Sequence, residues 1–265
     1  MARRPAAGRR TLSVRWLRYG YRLPLLLGHL LVDLPLVLLL LTPLTAGIEL
    51  RGEPLGHRAI RLWQGGLMRI FGFRLRRAGT PLPGPAVFVA NHVSWLDIVA
   101  LHSQRMMGFV AKREIAGWPL VGWMAGRGET IFHQRGSTES LGGVLHAMLA
   151  RLRAGRSVGV FPEGRTRDGR EVGPFHARIF LAAVEAGVPV QPVALRYGAD
   201  GQAQTQIAFR PGESFPGNFL RLLGEPARSA EVHFLEPIAP GAADGRRRIA
   251  ELARARIVAA MARRD

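Results

Sequence analysis

The run Ala86-Val87-Phe88-Val89-Ala90 leads directly into Asn91-His92-Val93-Ser94-Trp95-Leu96-Asp97. It reads as a buried strand that delivers a histidine and an aspartate into a strand-to-helix turn. A second run, Ser157-Val158-Gly159-Val160-Phe161, leads into Pro162-Glu163-Gly164 and places a carboxylate in the same way. An open α/β sheet builds its site in such turns, at the C-terminal ends of its strands. The two segments therefore imply one sheet and one shared site.

His92 and Asp97 stand five residues apart. On a continuous helix they would lie about 140° apart and could not meet. They can meet if His92 sits on the turn and Asp97 in the first turn of the helix. Ser94-x-x-Asp97 has the form of a capping box, which would start that helix near residue 95. Asp97 would then fix the tautomer of His92 and leave the other ring nitrogen as a base; the plain alternative is a helix cap with a chance histidine upstream. The chain has no cysteine to serve as nucleophile. Gly155-Arg156-Ser157-Val158-Gly159 has the spelling of a nucleophile elbow, but it precedes its strand where an elbow must follow one, so Ser157 is excluded. The simplest remaining chemistry is activation of a substrate hydroxyl for attack on an acyl carbon.

The segment Asn91 to Asp97 resembles the NHxxxxD motif of the glycerolipid acyltransferases, the family of bacterial 1-acyl-sn-glycerol-3-phosphate acyltransferases. Further blocks follow in the family's order. They are Lys112-Arg113-Glu114 with Trp118-Pro119-Leu120-Val121-Gly122, then Ile131-Phe132-His133-Gln134-Arg135-Gly136, Phe161-Pro162-Glu163-Gly164, and Val188-Pro189-Val190. The resemblance implies that His92 deprotonates the hydroxyl of a lysolipid, which attacks the thioester of acyl-carrier protein or acyl-CoA, with Asp97 orienting the base. It also implies substrate contacts from Asn91, Lys112, Arg135, Glu163, Gly164 and Pro189, no cofactor beyond the acyl donor, and a place on the cytoplasmic face of a bacterial inner membrane. One departure stands out: Glu163-Gly164 continues as Arg165-Thr166-Arg167, where the family has Thr-Arg. Either Arg165 or Arg167 could face the acceptor. 1-Acylglycerol-3-phosphate is the expected acceptor, and a lyso-ornithine lipid is the alternative.

Composition points to a membrane surface. The net charge is +18 over 265 residues, and Lys112 is the sole lysine among 37 basic residues. Nucleic-acid readers interleave aromatic and basic residues on one platform, and no such stripe is visible. A basic membrane- or nucleic-acid-binding protein without catalysis is the competing class; it has no use for His92 and Asp97 beside Glu163. Residues 1 to 77 hold 14 arginines against Asp33, Glu49 and Glu53, arranged around the apolar stretch Leu23 to Ile48. That stretch is long enough to cross about 30 Å of hydrocarbon. Its arginines flank it equally, and Pro24, Pro35 and Pro43 interrupt it, which favours a membrane-associated helical hairpin over a single span. Residues 55 to 77 read as an interfacial amphipathic helix.

The expected fold is α/β: a mixed, mainly parallel sheet flanked by helices, behind the N-terminal hairpin. Residues 1–79 form the docking segment and 80–265 the acyltransferase domain, divided at the turn-rich Thr80-Pro81-Leu82-Pro83-Gly84-Pro85. Strands are expected near 86–90, 108–112, 130–133, 157–161, 190–197, 205–209 and 231–235. Helices are expected near 95–103, 138–154, 176–186 and 243–263.

Overall fold

A computed structural model of the chain describes residues 7–45, 47–118, 121–134 and 138–263. The chain starts with α1 (Ala7–Gly28), which runs through a π-helical turn, His29–Asp33, into α2 (Leu34–Leu39) without leaving the helical path. A small hairpin, β1 (Glu49–Leu50) and β2 (Glu53–Pro54), reverses the direction into α3 (Leu55–Ile70). There follow β3 (Phe73–Ala78), β4 (Val87–Ala90), α4 (Leu96–His102), β5 (Gly108–Lys112), α5 (Val121–Arg127), β6 (Ile131–His133) and α6 (Thr138–Arg153). The remainder is β7 (Val158–Val160), α7 (Leu181–Ala186), β8 (Val190–Tyr197), α8 (Gln204–Ile207), α9 (Phe215–Leu223), β9 (Arg228–Phe234) and α10 (Gly245–Ala262).

Seven strands form one sheet in the order β3-β9-β8-β4-β7-β5-β6. From β8 to β6 every pairing is parallel, while β9 runs antiparallel to β8 and parallel to the edge strand β3. This is the mixed, mainly parallel sheet expected. All four residues of β4 are buried, as a strand covered on both faces requires. In the β4–β7 register Val89 faces Val160, so the chain leaving β4 at His92 is level with the chain leaving β7 at Glu163. The site follows from that alignment.

Two expectations are corrected. The amphipathic reading of 55–77 continues the helix too far: α3 stops at Ile70, and Gly72, with φ of +82°, turns the chain into β3. Residues 205–209 form no strand, since Gln204–Ile207 are helical. β3, which precedes residue 80, is an edge strand of the sheet. The turn-rich linker is itself fastened: Gln191 accepts from the Leu82 amide at 2.9 Å and donates to the Thr80 carbonyl at 3.0 Å.

Several of the N-terminal basic residues are structural. Arg22 is buried and donates to the carbonyls of Leu223 (2.7 Å) and Glu225 (2.8 Å), and Arg18 donates to Gly224 at 3.1 Å. Tyr19 Oη donates to the Leu220 carbonyl at 2.7 Å. These groups satisfy the open carbonyls at the end of α9, where cations are favoured. A side chain on Gly72 would collide with the Arg22 guanidinium. His29, inside the apolar stretch, bonds Asp33 at 2.7 Å and the Trp63 carbonyl at 2.9 Å, and stacks on the Trp63 ring. The long helix is thereby bolted to α3 and α9.

The other end of α9 is held by Glu213. Its carboxylate accepts from Arg221 at 2.7 and 2.9 Å, from Asn218 at 2.9 Å and from the Arg210 amide at 3.0 Å. The Arg221 hydrogen bonds chiefly draw its pKa from 4.5 to about 2. A lowered carboxyl pKa contributes stability above the unfolded value and loses it as pH falls through the folded one. The stability advantage of the native chain over Glu213→Gln should therefore be full above about pH 4.5 and vanish towards pH 2. Thermal unfolding of both proteins across that range checks it, and a gap that does not change with pH would refute it.

Candidate active site

The β4 strand ends at Ala90, and Asn91 continues its ladder with a side chain. Asn91 Nδ2 donates to the Leu195 carbonyl at 3.0 Å, and Oδ1 accepts from the Leu195 amide at 2.8 Å. The backbone is then free to turn at His92.

Beyond that turn lies Asp97, with no exposed surface. One carboxylate oxygen, Oδ2, takes His92 Nδ1 at 2.8 Å and the amides of Val93 (2.7 Å) and Ser94 (2.9 Å). The other, Oδ1, accepts from Tyr197 Oη at 2.6 Å. Removing a carboxylate from water costs several kcal/mol. Four bonds to a charged acceptor, at roughly 1.5–3 kcal/mol each, offset that cost. Burial and the Asp97 charge hold the Tyr197 phenol well above its ordinary pKa, so it stays a neutral donor. A carboxylate can only accept, so His92 Nδ1 carries the proton and Nε2 the lone pair. Nε2 has no hydrogen-bond partner among the described residues. The imidazole is stacked on Phe161 with centroids 3.9 Å apart.

The capping box is half formed. Asp97 reaches back to the Ser94 amide as expected, but the Asp97 amide binds the Ser94 carbonyl (3.1 Å), and Ser94 Oγ turns to the Leu96 amide at 3.4 Å. Trp95, between them, donates to Asn218 Oδ1 at 3.0 Å and so ties the turn to α9.

Glu163 braces the turn from β7. Oε1 accepts from the His92 amide and Oε2 from the Gly173 amide, both at 2.8 Å. Its burial pushes its carboxyl pKa up, against the pull of those amides, His92 and Arg167. Arg167 Nε lies 3.4 Å from Glu163 Oε2, and its amide donates to the His92 carbonyl at 2.7 Å. Arg165 is exposed. Of the two arginines of the rearranged turn, Arg167 is therefore the one gathered into the site. Gly164, with φ of +72°, closes the turn through its amide to the Phe161 carbonyl; a Cβ there would press on His176 at 3.1 Å.

The remaining expected residues fall elsewhere. Asn91 spends its amide on Leu195 and positions His92 from below. Lys112 ends β5 and pairs with Glu114 at 2.9 Å, with β7 lying between its strand and β4. Pro189 precedes β8 and accepts from the Val87 amide, which puts it at the N-terminal ends of these strands, opposite to the end that carries His92. Arg135 lies outside the described residues, as do Pro119, Leu120 and Gly136. Ser157 sits at the entry of β7, bonded to Gly84, away from the site. Sequence reasoning missed Tyr197, although a hydroxyl at the C-terminal end of a strand next to β4 was a usable signal. Among the described residues no group of His, Asp or Glu is arranged to hold a metal ion.

A histidine with its tautomer fixed and an open Nε2 has the geometry of a base that could take the proton of a substrate hydroxyl. Residues 75–196 match the family model named Acyltransferase. A lyso-ornithine lipid O-acyltransferase of Pseudomonas aeruginosa is 39% identical over 70% of this chain and 71% of its own length. A 1-acyl-sn-glycerol-3-phosphate acyltransferase of Neisseria meningitidis serogroup B is 37% identical over 57% of this chain and 62% of its own. The crystal structure of the 1-acyl-sn-glycerophosphate acyltransferase PlsC from Thermotoga maritima superposes with a TM-score of 0.71, at 19% identity, over 97% of this chain and 98% of that one. The chain belongs to the acyltransferase family and is an acyltransferase that acts on lysolipid.

Replacing His92 with Ala should lower turnover on the order of 10²–10⁴-fold with folding intact. Tyr197→Phe should retain the base, yet cost about 1–3 kcal/mol of stability for the buried oxygen it leaves unpaired. Steady-state assays and thermal melts of the two variants check both. A fully active His92→Ala would overturn the assignment.

Proposed function

We propose that this chain moves a fatty acyl group from the thioester of acyl-carrier protein or acyl-CoA to the hydroxyl of a lyso-ornithine-type lipid, at the cytoplasmic face of a bacterial inner membrane. His92 Nε2 takes the hydroxyl proton as the oxygen attacks the thioester carbonyl carbon. Collapse of the tetrahedral adduct breaks the C–S bond, and the imidazolium returns the proton to the leaving sulfur. Asp97 balances the charge on the ring throughout, while Tyr197, Asn91 and Glu163 hold the geometry.

The observation that carries the acceptor is the state of Arg167. The family pattern would turn this guanidinium to a phosphate, but here it lies against the buried Glu163 carboxylate. The match to the Pseudomonas aeruginosa lyso-ornithine lipid enzyme over a longer share of the chain supports the same choice. The second reading is 1-acylglycerol-3-phosphate, which the order of the sequence blocks and the Neisseria relative favour. Purified enzyme assayed with both acceptors in the same micelles decides between them. We expect kcat/KM for the lyso-ornithine lipid to be at least ~10-fold higher, about 1.4 kcal/mol in transition-state binding; parity or the reverse order would restore the phosphate acceptor.

Membrane docking follows from the outer face of the long helix. Val14–Leu39 is long and apolar enough to cross a membrane by length and composition. Leu25, Leu27, Leu31, Val32, Leu36 and Leu39 are all exposed on it, while Leu26, Leu34 and Val37 pack inward. A helix docked along its length on α3 and α9 suits insertion of one face into a leaflet better than a free span. Vesicles of anionic lipid should retain the intact protein in high salt, because apolar insertion is not screened. Release by salt alone, measured by flotation, would replace insertion with surface electrostatics.

A further inference from the structure

Next to the catalytic turn is a cavity of about 400 Å³ that the mechanism above does not use. Asn91, Val93 and Glu163 form its near wall, so it borders the turn that carries His92. The far wall is α10, through Arg254 and Val258, and the loop after Glu163 supplies Arg170 and Glu171. Gln204 lines it as well. Only 4% of this residue is exposed; its Nε2 is spent on the Leu195 carbonyl, and its Oε1 is buried without a partner. Orphan buried acceptors of this kind ask for a donor.

The charges lining the cavity are balanced. Arg170 and Arg254 bring two positive charges; Glu163 and Glu171 bring two negative ones. Arg254 uses Nε and Nη2 on the carbonyls of Gly173 and Val172, at 2.7 and 2.6 Å, and so pins the loop that carries Gly173 to α10. Its Nη1 is left for an anionic group. A phosphate dianion entering here would meet two carboxylates. A zwitterion fits both signs at once: a carboxylate for the guanidiniums, and an ammonium for Glu171. Charge-assisted contacts of this type are the strong ones.

We propose that this cavity is the acceptor headgroup site, and that it takes an N-acylated diamino acid through its free carboxylate and ammonium. The proposal rests on the acceptor reading above and adds the residues that make the choice: Glu171, Arg254 and the space beside Val258. The acyl tail of the acceptor leaves the cavity past Val93, which brings a hydroxyl near the start of that tail towards His92.

Two variants test it on exposed or half-exposed positions that do not hold the fold. Glu171→Gln removes the ammonium partner, and Val258→Trp fills the cavity. With purified full-length enzyme, each should raise KM for lyso-ornithine lipid about tenfold or more, the effect of losing one charged contact. KM for the acyl donor should stay unchanged. Soluble N-acetylornithine should compete with the acceptor in the native enzyme and lose that ability in Val258→Trp. Unchanged acceptor KM in both variants, in an enzyme that does use lyso-ornithine lipid, would overturn the cavity site and leave the acceptor reading standing. A native enzyme that ignores lyso-ornithine lipid would overturn both.

Discussion

The buried carboxylate of Asp97 organises this molecule. A full charge with no exposed surface is tolerable only where donors meet it from several directions. Here they come from the turn after β4, from the ring of His92 and from Tyr197 at the end of β8. Meeting that requirement fixes the imidazole tautomer, the start of α4 and the spacing of two adjacent strands together. The geometry of the proposed base and the folding of this region therefore depend on the same group.

Glu163 plays the complementary part from the neighbouring strand. It is buried as deeply, but it binds main-chain amides, and burial raises its pKa while it holds the turn that presents the base. The family resemblance suggested a ligand for the substrate; the geometry makes it first a brace. The level register of β4 and β7 lets one carboxylate reach the amide of a residue on the next strand.

The sheet was readable because β4 and β7 at its centre are short, wholly apolar and bounded by turn residues. The contact between His92 and Asp97 was readable because the two residues are close in sequence and the turn chemistry is local. Long-range partners were not: Tyr197 lies a hundred residues from Asp97, and only its place at the C-terminal end of a strand beside β4 marks it. β3 was misread because Arg74, Arg76 and Arg77 alternate with Phe73 and Leu75, and this continued the basic-apolar pattern of α3. Gly72 was the overlooked stop signal, since its positive φ breaks the helix. α9 was missed despite a serine cap and Pro216 in its first turn, and with it the reason why Arg18 and Arg22 are where they are.

Asn91 is a residue whose side chain stands in for a stretch of main chain. A strand that simply ended at Ala90 would leave the next rung of β8 open, and the sheet would fray where a rigid platform is needed. With one carboxamide the rung is closed, and the backbone is released from pairing to bend towards the substrate. The catalytic turn thus has the freedom of a loop and the anchoring of a strand. Aspartate, nearly the same shape, could not take this position, because it would present an oxygen to a carbonyl that needs a donor.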